Sequence, residues 1–342
     1  MKETAPQVQR WKRRAITILQ AILAVAVLAF VFHNPERRRE VAEAVRHASV
    51  TWLAAGVLCY GVVEMLGALR WKLLLRVQGF RLPWRRALAI FLIGLFLLTF
   101  TPGLIGGDAA RVLYVIREVP ERKADAVLVV AMDRLMGLVS LMLLAALTVL
   151  CRYHWLAMTP ATSWLEYATL LILAGCGGTV VLSVLAARLP WLSKLERHPA
   201  MGSKLREIAQ ALRAYRRHWP RLIEALINTI AAHLFYFATF YCAARALGAF
   251  DGPGARPWHG FWDMFCIMPI VNTLTGLPIG VAGIGIRESL FQVLLNDLCA
   301  IPAGVGAAIG SLGFAMRAVW GLPGVVLLLR YRSSARRRRT AA

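Results

Sequence analysis

Acidic residues are scarce in this chain: 18 Asp and Glu stand against 40 Lys and Arg in 342 residues, a formal charge of +22. In a soluble protein so basic a balance would point to nucleic acid. The chain is 58% hydrophobic and carries several apolar runs of about eighteen residues or more, which excludes a soluble class and moves the test to where the basic residues fall. Metal-ligand spacing is also absent. The six cysteines (Cys59, Cys151, Cys176, Cys242, Cys266, Cys299) make no Cys-x-x-Cys pair and the seven histidines no His-x-x-x-His pair, so neither a metal nor another cofactor is expected. No Ser-His, His-Asp or paired-carboxylate constellation stands at one depth, although Asp108 and Asp133 could converge in space.

Apolar segments run at about 15–32, 48–69, 87–100, 126–150, 164–187, 222–248, 261–277 and 303–329. Six are long enough to span a bilayer. The 87–100 run reaches only about 21 Å at roughly 1.5 Å per residue, short of a hydrocarbon core of roughly 30 Å, so it is expected to enter and turn back. The 261–277 run, "FWDMFCIMPIVNTLTGL", is also short, contains Pro269 and ends in the glycine-rich "PIGVAGIGIRES" of 278–289. It takes the same reading. The expected fold is an all-α polytopic membrane protein with six full spans plus two oppositely oriented re-entrant helical hairpins, at about 87–118 and 261–298. A single transmembrane domain, 15–329, then lies between basic tails at 1–14 and 330–342.

Lys and Arg in short loops stay cytoplasmic. With a cytoplasmic N-terminus and both hairpins re-entrant, the inner side holds Lys2, Arg10, Lys12, Arg13 and Arg14, with six more basic residues at 70–86. It also holds four at 111–123, nine at 188–221 and six from Arg330 to Arg339. The outer side holds Arg37, Arg38, Arg39, Arg46, Arg152 and Arg256, of which the "ERRRE" cluster runs against the rule. If 87–100 crossed fully, "REVPERK" at 117–123 would be exported and the basic blocks would cease to alternate. A multi-pass protein of a bacterial-type inner membrane is expected, with both termini cytoplasmic. The segment 188–221 sets Leu205, Ile208, Leu212 and Tyr215 at helical spacing among basic residues; it reads as an amphipathic stretch on the anionic inner leaflet, or else as a partner-docking helix. The Arg-rich tail reads as the same anchor, with no nucleic-acid partner expected.

The two breaks resemble each other. Pro102, Gly103, Gly106, Gly107, Asp108 and Arg111 in "TPGLIGGDAARVLYVIRE" (101–118) answer to Pro278, Gly280, Gly283, Gly285, Arg287 and Glu288. Matching glycine- and proline-interrupted segments of opposite orientation point to an inverted-repeat transporter with its site near the midplane. Irregular backbone at membrane depth survives only where it faces protein or water, because each unsatisfied N–H or C=O in lipid costs several kcal/mol.

Four motifs in order carry a family resemblance: "LRWKLLLRVQGF" at 69–80, "FTPGLIGGDAARVLYVIRE" at 100–118, "VVAMDRLMGL" at 129–138 and "GLPIGVAGIGIRES" at 276–289. From about residue 50 to 329 the chain resembles the transmembrane-region family of lysylphosphatidylglycerol synthases, often called flippase-like. The resemblance implies lipid translocation. Bifunctional members add a soluble aminoacyl-transferase domain; here the sequence ends at "RYRSSARRRRTAA", so that domain and its synthase activity are expected to be absent.

Ionisable residues at membrane depth are costly and default to functional hypotheses. They are Glu64, Asp108, Arg111, Asp133, Arg134, Arg287, Glu288 and Arg317, with Asp263 nearer an end. An arginine offers a planar fork to a phosphate, and a half-helix N-terminus adds free N–H donors. Arg111, Arg287 and Arg317 are therefore expected among the head-group ligands, with the Gly106-Gly107 and Gly283–Gly285 backbones allowing close approach. Asp108 and Glu288 would hold those arginines or recognise a cationic part of the substrate. Each reading has a structural counterpart. Asp133 and Arg134 serve either as an ion pair stapling helices or in transport, Glu64 as an interfacial partner or a relay, Arg70-Trp71 as an interfacial anchor, and the glycines as packing sites. Two function classes follow: a translocase for a phospholipid or polyprenyl-phosphate-type amphiphile with an anionic head group, or an accessory subunit or intramembrane enzyme working with a separate lipid-modifying enzyme.

Overall fold

The computed structural model of the chain describes residues 45–100, 105–119, 122–186, 218–251, 257–276 and 285–340, with single positions at 39, 42, 43, 215 and 283. The tail 1–14, the run 15–32, most of the segment 188–221, and Pro102, Gly103, Pro278 and Gly280 lie outside the described residues. Nine helices of fourteen residues or more, and no strand, occur among the described residues. They are α1 (Val50–Val77), α2 (Trp84–Phe100), α3 (Ile105–Glu118), α4 (Lys123–Leu156), α5 (Pro160–Ala186), α6 (Trp219–Ala246), α7 (Pro257–Thr275), α8 (Ile286–Cys299) and α9 (Ala303–Thr340). Among the described residues α1, α4, α6 and the Ala303–Arg330 part of α9 are each long and apolar enough to cross a membrane. The protein is a multi-pass membrane protein.

Helix ends fall where local chemistry demands them. α1 stops at Gly79, whose φ of +78° only glycine adopts freely; its N–H donates to the Arg76 carbonyl and that of Phe80 to the Leu75 carbonyl, each at 2.9 Å. α8 starts at Gly285, φ +88°, whose N–H donates to the Glu288 carboxylate at 2.6 Å, the half of a capping box that a glycine permits. α2 and α7 extend a few residues beyond the apolar runs, to 17 and 19 residues. At about 1.5 Å per residue they reach roughly 26 and 28 Å, still under a bilayer core of roughly 30 Å.

α2 and α3 pack antiparallel. Gly107 sits so close to Gly94 that a Cβ there would stand 2.4 Å from the Gly94 carbonyl oxygen. One turn on, Arg111 lies over the Phe91 ring at 4.1 Å, and at the open end Arg86 grips Glu118 at 2.5 and 2.9 Å. α7 and α8 form a second antiparallel pair, with Thr275 against Gly283 at the closed end and Asp263 beside Cys299 at the open end. The two open ends lie at opposite ends of the bundle. The first shares its end with the last turn of α1 and the first turn of α6; the second lies beside Arg152, near the last turn of α4, which pairs with Asp263. The Ser49 N–H donates to the Ala246 carbonyl at 2.9 Å, so α1 starts where α6 finishes.

Apolar packing divides in two. One core gathers Phe237, Phe240, Met264, Ile267 and Phe291 from α6, α7 and α8, with Phe240 and Phe291 stacked at 5.2 Å. The other gathers Trp71, Leu74, Ile90, Phe91, Val115 and Val129 from α1 to α4. Because lipid tails are as apolar as these side chains, close packing rather than water exclusion holds such helices together, and small residues make it possible. α9 uses glycine for both contacts. A Cβ at Gly306 would stand 2.8 Å from the Phe291 carbonyl of α8, and one at Gly324 would stand 2.3 Å from the Leu92 carbonyl of α2. Beyond Arg330 the helix continues through the arginine-rich residues to Thr340.

Candidate functional site

Between the two cores a cavity of about 240 Å³ opens, lined from seven helices, α2 among them through Phe91, Leu95 and Leu98. α1 contributes Tyr60, Glu64 and Arg70, α3 Arg111, α4 Asp133 and Arg134, α6 Thr229, His233 and Tyr236, α7 Asn272 and α9 Arg317. Glu64 and Arg317 stand at the middle of the 28-residue spans Val50–Val77 and Ala303–Arg330, so the cavity is level with the centre of the apolar bundle.

Most of its charges are already matched. Asp133, 3% exposed, accepts from Arg70 Nε at 2.7 Å and from Arg111 Nη1 at 3.4 Å. Arg70 reaches on to the Thr229 hydroxyl at 3.3 Å, which itself donates back to the Ala225 carbonyl at 2.6 Å. Arg134, adjacent in sequence to Asp133 and so turned about 100° away on the helix, makes a two-point contact with Asp108 at 2.7 and 2.8 Å. The fork geometry fixes both side chains. His233 rests its Nε2 against the Gly137 carbonyl at 3.4 Å.

Two charged groups of the cavity, Arg317 and Glu64, make no ion pair among the described residues. No hydrogen bond or ion pair holds Arg317 among the described residues, and its Nε is buried without a partner. The Glu64 Oε2 is buried and unpartnered as well, although the fields of Arg317, Arg111 and Arg70 reach it. Four arginines line the cavity against two carboxylates, with Asp108 at its edge. With Asp108 counted, four arginines stand against three carboxylates, a net charge of about one positive.

The other residues singled out in the sequence lie elsewhere. Arg287 is buried over the Phe314 ring at 5.3 Å, packed against its own turn at Gly283 and away from the cavity lining. Glu288 caps α8 and accepts from the Ser311 hydroxyl at 3.4 Å; among the described residues it holds no arginine. Gly107 serves helix contact, Gly283 and Gly285 (φ +72° and +88°) serve the turn, and Gly106 lies in the first turn of α3. Arg70, read as an interfacial anchor, is instead the nearest cation to Asp133. Tyr60, Thr229, His233, Tyr236 and Asn272 escaped notice. The one signal was the i, i+4, i+7 spacing of Thr229, His233 and Tyr236, which puts three polar groups on one face of an otherwise apolar helix.

No curated protein matches the chain. The family model for the lysylphosphatidylglycerol synthase TM region matches residues 17–322, a range that takes in both helix pairs and every residue of the cavity. The chain therefore belongs to the lysylphosphatidylglycerol synthase TM region family.

Proposed function

We propose that this protein is an inner-membrane lipid translocase whose cavity receives an anionic head group while the acyl chains stay in the bilayer. The observation that carries the reading is Arg317, a cation at mid-span that makes no hydrogen bond or ion pair among the described residues. A charged residue at the bilayer centre costs about 2.5–3.5 kcal/mol on insertion scales, and Arg317, which feels the field of Glu64 but makes no hydrogen bond or ion pair among the described residues, keeps its donors open for a guest. Arg317 lies midway along α9 between Gly310, which packs on α8, and Gly324, which packs on α2, so it is level with the closed ends of both helix pairs. The size fits. About 240 Å³ is less than the roughly 300–1,000 Å³ that encloses a drug-sized ligand, but enough for a phosphate and a small head group.

Arg317 and Glu64 divide the work. Arg317 donates to the phosphate, and Glu64 accepts from a hydroxyl or ammonium further along the head group. Arg111 and Arg134 are lent by Asp133 and Asp108 rather than free, so a bound phosphate competes with those carboxylates. The order span, helix pair, span occurs twice, as α1, α2–α3, α4 and as α6, α7–α8, α9, with the open ends reversed. That supports an inverted repeat of two re-entrant hairpins, the arrangement in which one half rocks against the other around a fixed site.

Leaflet exchange of labelled lipids in proteoliposomes tests this, comparing phosphatidylglycerol, its lysyl ester and phosphatidylcholine. Head-group-selective exchange is expected. Arg317→Ala should slow it at least about tenfold, in line with roughly 1.5–3 kcal/mol for hydrogen bonds to a charged group, while Glu64→Gln should narrow the preference among head groups. No exchange of any lipid by folded wild-type protein would overturn the translocase reading in favour of an accessory or enzymatic role.

A further inference from the structure

A second concavity, of about 700 Å³, lies at the end of the bundle where α1 stops and α6 begins. Lys72 and Arg76 approach it from one face of the last turns of α1, Arg81 from the turn made at Gly79, and His218 and Arg221 from the start of α6. No Asp or Glu lines it among the described residues. Scarcity of acid alone does not explain that. At this same end Arg86 finds Glu118 and Arg122 finds Asp125, so carboxylates are supplied where arginines serve packing. Arg76, Arg81 and Arg221 make no ion pair among the described residues, and Lys72 is held only by the Trp84 ring, 5.5 Å away. Four cations, Lys72 half-buried and Arg76, Arg81 and Arg221 exposed, gather around one hollow, and an anion placed among them would be attracted by all four. The first turn of α6 ends on the hollow as well and adds the positive end of a 28-residue helix.

We infer that this hollow is a binding site for a phosphate group carrying two or more negative charges, a phosphomonoester or a diphosphate. A single phosphodiester charge would leave most of the four cations unanswered. The hollow is distinct from the mid-span cavity, with which it shares no lining residue, and the inference stands whether or not the protein moves lipid. Such a group has two sources. It is either the head of a lipid in the adjoining leaflet, as in phosphatidic acid, or a soluble phosphate compound.

The test uses the full chain in nanodiscs. Calorimetric titration of inorganic pyrophosphate into phosphatidylcholine discs reports the soluble source; retention of phosphatidic acid over phosphatidylglycerol in discs doped with both reports the lipid source. At least one should be positive, with one site per chain. Arg76→Gln with Arg81→Gln should weaken that binding about tenfold or more, since the lost contacts are charge-assisted. Arg85→Gln with Arg117→Gln removes the same charge from the same end but outside the hollow, and should leave binding within about twofold. Among the described residues no side chain of either pair makes a hydrogen bond, Arg117 resting on the Tyr114 ring, and an unchanged melting temperature checks the fold. Absence of both binding signals, or equal weakening by the two double variants, would overturn the site and leave only diffuse attraction.

Discussion

Asp133 bears the heaviest electrostatic duty of any single residue in the mid-span cavity, because one buried carboxylate answers both Arg70 and Arg111. Removing one partner of a buried charge pair strands the other, at a cost of about 3–5 kcal/mol. Asp133→Asn is therefore expected to lower the melting temperature sharply in detergent. Asp108→Asn should cost less, because its partner Arg134 is half-exposed towards the cavity rather than sealed in the packed interior. Equal losses from the two substitutions would mean that the carboxylates share one network. The sequence makes Asp108, Arg111, Asp133 and Arg134 conspicuous, since a charge inside an apolar run cannot be missed. Their partners are another matter. Adjacent residues on a helix do not face one another, so Asp133 and Arg134 point to different neighbours, and only the fold brings Arg70 to the first and Asp108 to the second.

Within elements, glycine decides how closely helices approach. Gly107 and Gly324 each face a backbone carbonyl, of Gly94 and Leu92, and neither carbonyl can swing aside as a side chain would. Gly107→Ala should force α2 and α3 apart and cost about 1–3 kcal/mol, the usual penalty of overpacking. Gly137→Ala, with nothing within 4 Å of the added Cβ, should leave stability unchanged or raise it slightly. Thermal melts of the two variants side by side check this. A large loss at Gly137 as well would mean that glycine acts through something other than space. The sequence marks the break after 87–100 because a short apolar run followed by glycines is readable without coordinates. It does not tell a packing glycine from one that admits a ligand. Gly107 was expected to allow head-group approach, yet its missing side chain is filled by the neighbouring helix.

Over the whole molecule the basic residues and the helix pairs describe the same polarity. Arg86 and Glu118 meet at one end, near Lys72 and Arg221, while Arg152 and Asp263 meet at the other, near the start of α8's outgoing loop at Cys299. The sequence reading of alternating basic blocks expects the first pair to turn back, and the antiparallel contact of α2 with α3 puts Arg86 and Glu118, 2.5 Å apart, on one side of the bilayer. Single cysteines placed at Arg81, Glu118 and Met158 in a cysteine-free background turn this into a measurement with a membrane-impermeant thiol reagent. Positions 81 and 118 should be labelled from one side and 158, beyond the 34-residue α4, from the other. Labelling of 118 together with 158 would mean that α2 crosses, and the reversed order of the two halves, with the midplane site between them, would fall with it.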